Sequence, residues 1–134
     1  MKKRLGWILF VVYVLFILWY TVFSRSPGIP RADLRFMWAY REMFTGHPNW
    51  KKDVIQNLQN ILFFIPFGVL MPVNKRSVVV VTALCFSLAV EITQYIGGFG
   101  LCELDDVICN TLGAMIGMWL WLEIIKIKGK INEA

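Results

Sequence analysis

Amide and carboxyl side chains interrupt three otherwise apolar stretches of this sequence, and they do so at helical spacing. Asn57 and Asn60 are three apart, Glu91 and Gln94 three apart, and Asp106 and Asn110 four apart, with Asp105 beside the last pair. Residues three or four apart share one face of a helix, so each stretch can aim its polar pair in a single direction. Polar groups at membrane depth are costly and usually face the interior of a bundle, where they mark a functional site. Two chemistries suit them. As interhelical glue, each hydrogen bond would contribute on the order of 1 kcal/mol. As the lining of a pocket, they would bind a polar group. Amides alone would make good glue, but carboxylates held close together repel one another. That repulsion favours a pocket built from Asn57, Asn60, Glu91, Gln94, Asp105, Asp106 and Asn110. In it Glu91 is the proton-sensitive or cation-pairing group, Asp106 its charged neighbour, and the amides orient the ligand. The second stretch also carries Gln56 and Gln59.

Other chemistry is missing. His47 stands alone beside Pro48 in a loop, and there is no phosphate-binding glycine loop, paired-histidine motif or nucleophile elbow. Cys85 and Cys109 fall inside apolar runs and Cys102 sits alone in a short loop, which reads as small hydrophobes rather than a disulfide framework or a metal site. No metal and no cofactor are expected. Nothing in the residues argues positively for an enzyme.

The elements that must hold the polar groups are legible from composition and charge. The 134 residues are 57% hydrophobic and 17% charged, with a mean hydropathy of +0.59. A soluble domain of this length cannot hide that much apolar surface in one core. About 20 apolar residues cross the hydrocarbon of a bilayer. The sequence therefore predicts an all-α, four-transmembrane-helix bundle, spanning about 5–23, 54–73, 77–96 and 106–125, as one domain over 1–134. The first run reads as a retained helix, since no small-x-small cleavage site follows it. It is expected to be apolar throughout. Pro66 is expected to kink the second helix, and Gly113 with Gly117 form a small-xxx-small pair for close packing. Residues 32–44 read either as a short helix in the membrane interface, with Trp38, Tyr40 and Phe44 among headgroups, or as a loop draped over the bundle.

The net charge of +5 does not point to nucleic acid, because the basic residues cluster at the ends of the apolar runs. Lys2, Lys3 and Arg4 precede the first run, Lys75 and Arg76 separate the second and third, and Lys126, Lys128 and Lys130 follow the last. The positive-inside rule then puts both termini in the cytoplasm. Six basic residues between Ser24 and Asp53 speak against that orientation, and three agreeing segments outweigh them. With alternating helix directions, Asn60, Glu91 and Asn110 all fall roughly 6–9 Å below the outer boundary, at ~1.5 Å rise per residue. Reversing the orientation would move all three together.

Three motifs add a resemblance. Asn60-Ile61-Leu62-Phe63-Phe64-Ile65-Pro66-Phe67-Gly68, then Ser87 with Glu91-Ile92-Thr93-Gln94, then Asp105-Asp106-Val107-Ile108-Cys109-Asn110-Thr111-Leu112-Gly113-Ala114 resemble the VanZ-like family of bacterial membrane proteins in order and spacing. Cys109 departs from the branched aliphatic residue expected there. The resemblance covers about residues 5–125. It implies a multi-pass protein of the bacterial plasma membrane. It also suggests a link to tolerance of the glycopeptide antibiotic teicoplanin, since the family's name derives from a member linked to resistance to it, but no established reaction. The reading that follows is a membrane protein whose outer-leaflet pocket binds a lipid headgroup or a lipid-bearing amphiphile. The alternatives are a proton-coupled small-molecule exporter and a membrane assembly subunit whose polar cluster is purely structural. Four-helix exporters of similar length place their key carboxylate in the first helix, which carries none here.

Overall fold

A computed structural model describes residues 2–46, 48–73 and 75–132; His47 and Asn74 lie outside the described residues. The elements in chain order are α1 (Lys2–Leu18), continuing into a π-helical turn (Trp19–Phe23), β1 (Arg31–Asp33), α2 (Trp38–Thr45), α3 (Trp50–Leu70), α4 (Arg76–Gly97), β2 (Leu101–Glu103) and α5 (Leu104–Asn132). Among the described residues four helical segments are long and apolar enough to cross a membrane: Arg4–Phe23, Trp50–Leu70, Arg76–Gly97 and Leu104–Gly129. The fold is the expected all-α membrane architecture.

Each long helix is apolar on most of its surface but buries only one stripe. In α1 the stripe is Phe10, Tyr13, Val14 and Ile17, while Leu5, Ile8, Val12 and Leu15 stay exposed. An apolar helix with a greasy outer face belongs in lipid, since water would penalise that face along its whole length.

The tightest seam joins α3 to α5. A Cβ placed on Gly113 would collide with the Ile61 carbonyl, one on Gly117 with the Ile65 carbonyl, and one on Gly68 with the Ala114 carbonyl. Small residues let the two backbones touch, which substitutes for the hydrophobic drive that is missing between helices in lipid. α3 runs through Pro66 as one α-helical segment. Beside the seam an aromatic cluster fills one half of the bundle, with Phe10 edge-on to Phe67 at 4.9 Å and Phe67 stacked on Phe86 at 5.5 Å between ring centroids. Met71, Val79, Ala83 and Met118 complete this apolar half. The buried polar residues occupy the other half.

Boundaries shift from those expected. α3 starts at Trp50 rather than near 54, and α5 runs 29 residues to Asn132. A hydropathy count sees only the apolar part of a helix, whereas the backbone ladder continues through polar helix formers. At ~1.5 Å per residue α5 is about 43 Å long, more than the hydrocarbon requires.

Residues 32–44 do not form one helix. Residues 31–33 make a strand that pairs in parallel with 101–103, Arg31 opposite Leu101 and Asp33 opposite Glu103. Asp33 then turns its carboxylate onto Arg35, accepting from its backbone N–H at 3.0 Å and from its guanidinium. Such local side-chain bonding competes with helix formation, and the Arg35 guanidinium holds the Asp33 carboxyl below its ordinary range. Met37 follows in the left-handed region at φ 52°, and only then does α2 begin. Trp38 and Tyr40 are partly buried, while Phe44 remains 83% exposed. Long-range partners override the local propensity.

Candidate functional site

The polar half of the bundle encloses a cavity of about 140 Å³. Its walls come from every long helix. α3 supplies Gln56, Gln59, Asn60, Phe63 and Phe64, α4 supplies Val90, Glu91 and Gln94, and α5 supplies Asp106 and Asn110. Ile17 from α1, Tyr20 and Thr21 from its π-helical turn, and Arg25 just beyond close the fourth side. The first span, expected to be uniformly apolar, is thus a wall of the site. Its π-helical turn lies where Tyr20 and Thr21 meet the cavity, a place where such widened turns recur in proteins. Gln94 Nε2 donates to the Thr21 carbonyl at 2.9 Å and so ties α4 to that turn. Tyr13 Oη donates to the Phe63 carbonyl at 2.6 Å and ties α1 to α3.

Of the residues singled out from sequence, Asn60, Glu91, Gln94, Asp106 and Asn110 line this one cavity. Convergence from three helices is what the equal-depth argument requires. Asn57 and Asp105 are buried but turn toward α2 instead. Asp105 Oδ1 accepts the Met37 backbone N–H at 2.6 Å, and Asn57 lies beside Tyr40. These two fix the short helix above the bundle.

Several buried groups are satisfied within the protein. Asn110 Nδ2 donates to Ser87 Oγ at 2.8 Å, and Glu91 Oε2 accepts the Glu103 backbone N–H at 3.0 Å. Others are not. Among the described residues, Asn60 Nδ2, Asp106 Oδ1 and Asn110 Oδ1 at the cavity, and Asn57 Nδ2 and Asp105 Oδ2 outside it, are buried atoms with no hydrogen bond of normal geometry in the protein, although the Asn60 and Gln56 amides lie close enough to act on the Asp106 carboxylate. Asn110 is only 5% exposed. An unpaired buried polar atom costs about 1–3 kcal/mol, so three around one hollow call for something to fill it.

Glu103 and Arg25 were not assigned to the site from sequence. Glu103 Oε2 accepts Gln56 Nε2 at 2.6 Å and its Oε1 accepts Trp38 Nε1 at 3.1 Å. Burial, and next the charge of Asp106, push its carboxyl up to about 7. Arg25 is exposed at the mouth, with Nη1 donating to the Phe99 carbonyl at 3.4 Å, and its charge acts on both Glu91 and Asp106. Their signals were faint. Arg25 is the first charge after a long apolar run, and Glu103 stands two residues before Asp105 in a loop without basic residues. Arg25, Gln56 and Asp106 also border a second hollow of about 190 Å³, completed by Trp38, Lys52, Asp53, Leu101 and Glu103. The two hollows are adjacent, with Arg25, Gln56 and Asp106 lining both.

Residues 10–126 match the protein family described as VanZ/LLP1. The chain is also 30% identical over 129 residues to Protein VanZ of Enterococcus faecium, covering 90% of this chain and 76% of that protein. No solved structure matches it.

Proposed function

The chain belongs to the VanZ-like family of membrane proteins, and from that premise we propose that its polar cavity binds the headgroup of a lipid or lipid-bearing amphiphile in the outer leaflet. The observation that carries this reading is the set of unpaired polar atoms on Asn60, Asp106 and Asn110 around one cavity. Pure interhelical glue would pair its groups, because an unmet partner in a low-dielectric interior costs more than the bond is worth. A glue role does suit Gln94 and Ser87, whose hydrogen bonds close within the bundle.

The cavity also opens in the right direction for a membrane ligand. Tyr20 and Gln59 line it and are exposed on the outer surface of the bundle, which supports a lipid-facing opening near Arg25, between the end of the first span and α3. A headgroup can enter there while its chains stay in lipid. The same binding is the basis on which we propose a link to teicoplanin tolerance.

Glu91 is the proton-sensitive or cation-pairing group of this reading. Substituting Glu91→Gln keeps shape and removes the charge. Expressed in a teicoplanin-sensitive bacterium, the wild type is expected to raise tolerance, and the variant to lose that gain at an unchanged level in the membrane. Loss of the variant from the membrane would make the carboxylate structural and overturn its role in binding.

A further inference from the structure

We infer that the group admitted to the cavity is a hydroxyl-bearing headgroup, a glycerol or glycosyl moiety on a lipid, rather than an ammonium or a bare phosphate; this rests on the headgroup-binding reading above. The unpaired atoms state what a ligand must offer. Asp106 Oδ1 and Asn110 Oδ1 are acceptors in need of donors, whereas Asn60 Nδ2 is a donor in need of an acceptor. An ammonium has donors only and would leave Asn60 unmet. A phosphate diester has acceptors only and would face two oxygens it cannot satisfy. A hydroxyl donates and accepts at once, and two or three on adjacent carbons can meet all three atoms together.

Charge and size agree. Glu91 and Asp106 bring two carboxyls to the inner cavity, while Arg25 is the one cation among its described lining residues. An anion seated inside would be repelled by those carboxylates, whereas a neutral polyol can donate hydrogen bonds to them without repulsion. Arg25 stands at the mouth with one described hydrogen bond, to Phe99. A guanidinium carries five donors, so it can still receive a phosphate that links the polyol to its lipid chains. A hollow of about 140 Å³ is close to the size of an engineered protein cavity that takes up benzene, about six heavy atoms. That is room for a glycerol or one face of a sugar ring, with the outer hollow past Arg25 and Gln56 available to the remainder.

The full chain is reconstituted in phosphatidylcholine nanodiscs holding equal amounts of four lipids with identical acyl chains. These are phosphatidylglycerol, a diglucosyl diacylglycerol, phosphatidylethanolamine and phosphatidic acid. It is then transferred to an amine-oxide detergent, which has no sugar headgroup to compete, and retained lipid is identified by native mass spectrometry. Phosphatidylglycerol and the glycolipid are expected to be retained over the other two by on the order of tenfold, the effect of one buried polar group left unpaired. Asn60→Asp, which replaces the free donor with an acceptor, is expected to erase that preference. Asn60→Ser, which keeps a donor, should retain part of it, so a folding defect is separable from a recognition defect. Equal or greater retention of phosphatidylethanolamine or phosphatidic acid would overturn the hydroxyl assignment while leaving headgroup binding intact. Retention of none of the four would overturn headgroup binding itself.

Discussion

Glu103 is the residue in which the chemistry of this site is most directly exposed to measurement. It lies in β2, outside the spans, and its carboxyl receives hydrogen bonds from α3 through Gln56 and from α2 through Trp38. Burial and the neighbouring Asp106 raise it from 4.5 to about 7. Between those values the folded chain holds a proton that the unfolded chain has released, so this group's contribution to stability falls as pH rises through that window. The thermal midpoint in detergent is therefore expected to drop between pH 5 and pH 8, and Glu103→Gln is expected to flatten the part of that slope due to this group. A variant with an unchanged slope would show that Glu103 does not titrate there. The same residue explains why its neighbours are placed as they are. Its backbone N–H binds Glu91, so one residue of β2 touches the cavity with its main chain and α2 with its side chain.

At the level of elements, the site depends on how closely α3 and α5 approach. Gly68, Gly113 and Gly117 bring the backbones into contact, and this contact places Asn60 and Asp106 across the same hollow. Gly117→Val would drive its Cβ into the Ile65 carbonyl, and its two methyls need further room. Overpacking of this kind typically costs about 1–3 kcal/mol, more where backbone must move, and the helix N-terminal part of α5 would swing with it. Gly117→Val is thus expected to lower the thermal midpoint by several degrees and to weaken lipid retention, whereas Gly129→Val, with open space around it, is expected to leave both unchanged. An equal effect of the two substitutions would remove the special role assigned to the seam. The short β1–β2 pairing is the second positioning device. It fastens the segment after α1 to the turn before α5, and the Gly28 N–H adds a bond to the Gly98 carbonyl at 2.9 Å. Gly98 has φ +64° and a Cβ there would strike the Gly28 carbonyl, so the turn needs glycine on both counts.

For the whole molecule the arrangement is a bundle divided in two. One half is an aromatic and aliphatic core around Phe67, and the other is a polar chamber under α2 and the β1–β2 ribbon. Which membrane face holds the chamber is proposed from charge. Three basic segments near the opposite end set the proposed orientation, with both termini cytoplasmic and the chamber outward. Single cysteines introduced at Ser26 and at Ser77, in a chain with Cys85, Cys102 and Cys109 replaced by serine or alanine, test it in intact cells. A membrane-impermeant maleimide is expected to label position 26 and to spare position 77; the reverse pattern would invert the molecule and move the proposed binding into the inner leaflet.

The sequence by itself determined the four spans, the small-residue pair in α5 and the meeting of Asn60, Glu91, Gln94, Asp106 and Asn110. Each follows from periodicity and helix rise, which are local properties that a chain cannot escape in lipid. Only the tertiary structure decided that Asn57 and Asp105 serve α2 rather than the cavity, that Arg25 and Glu103 join the site, and that residues 31–33 form a strand. Most of those outcomes depend on partners far away in the chain, as with Met37 and Asp105, 68 residues apart, or Trp38 and Glu103, 65 apart. A loop residue has no period to betray its direction, and it is placed by whichever distant backbone group or side chain it must satisfy.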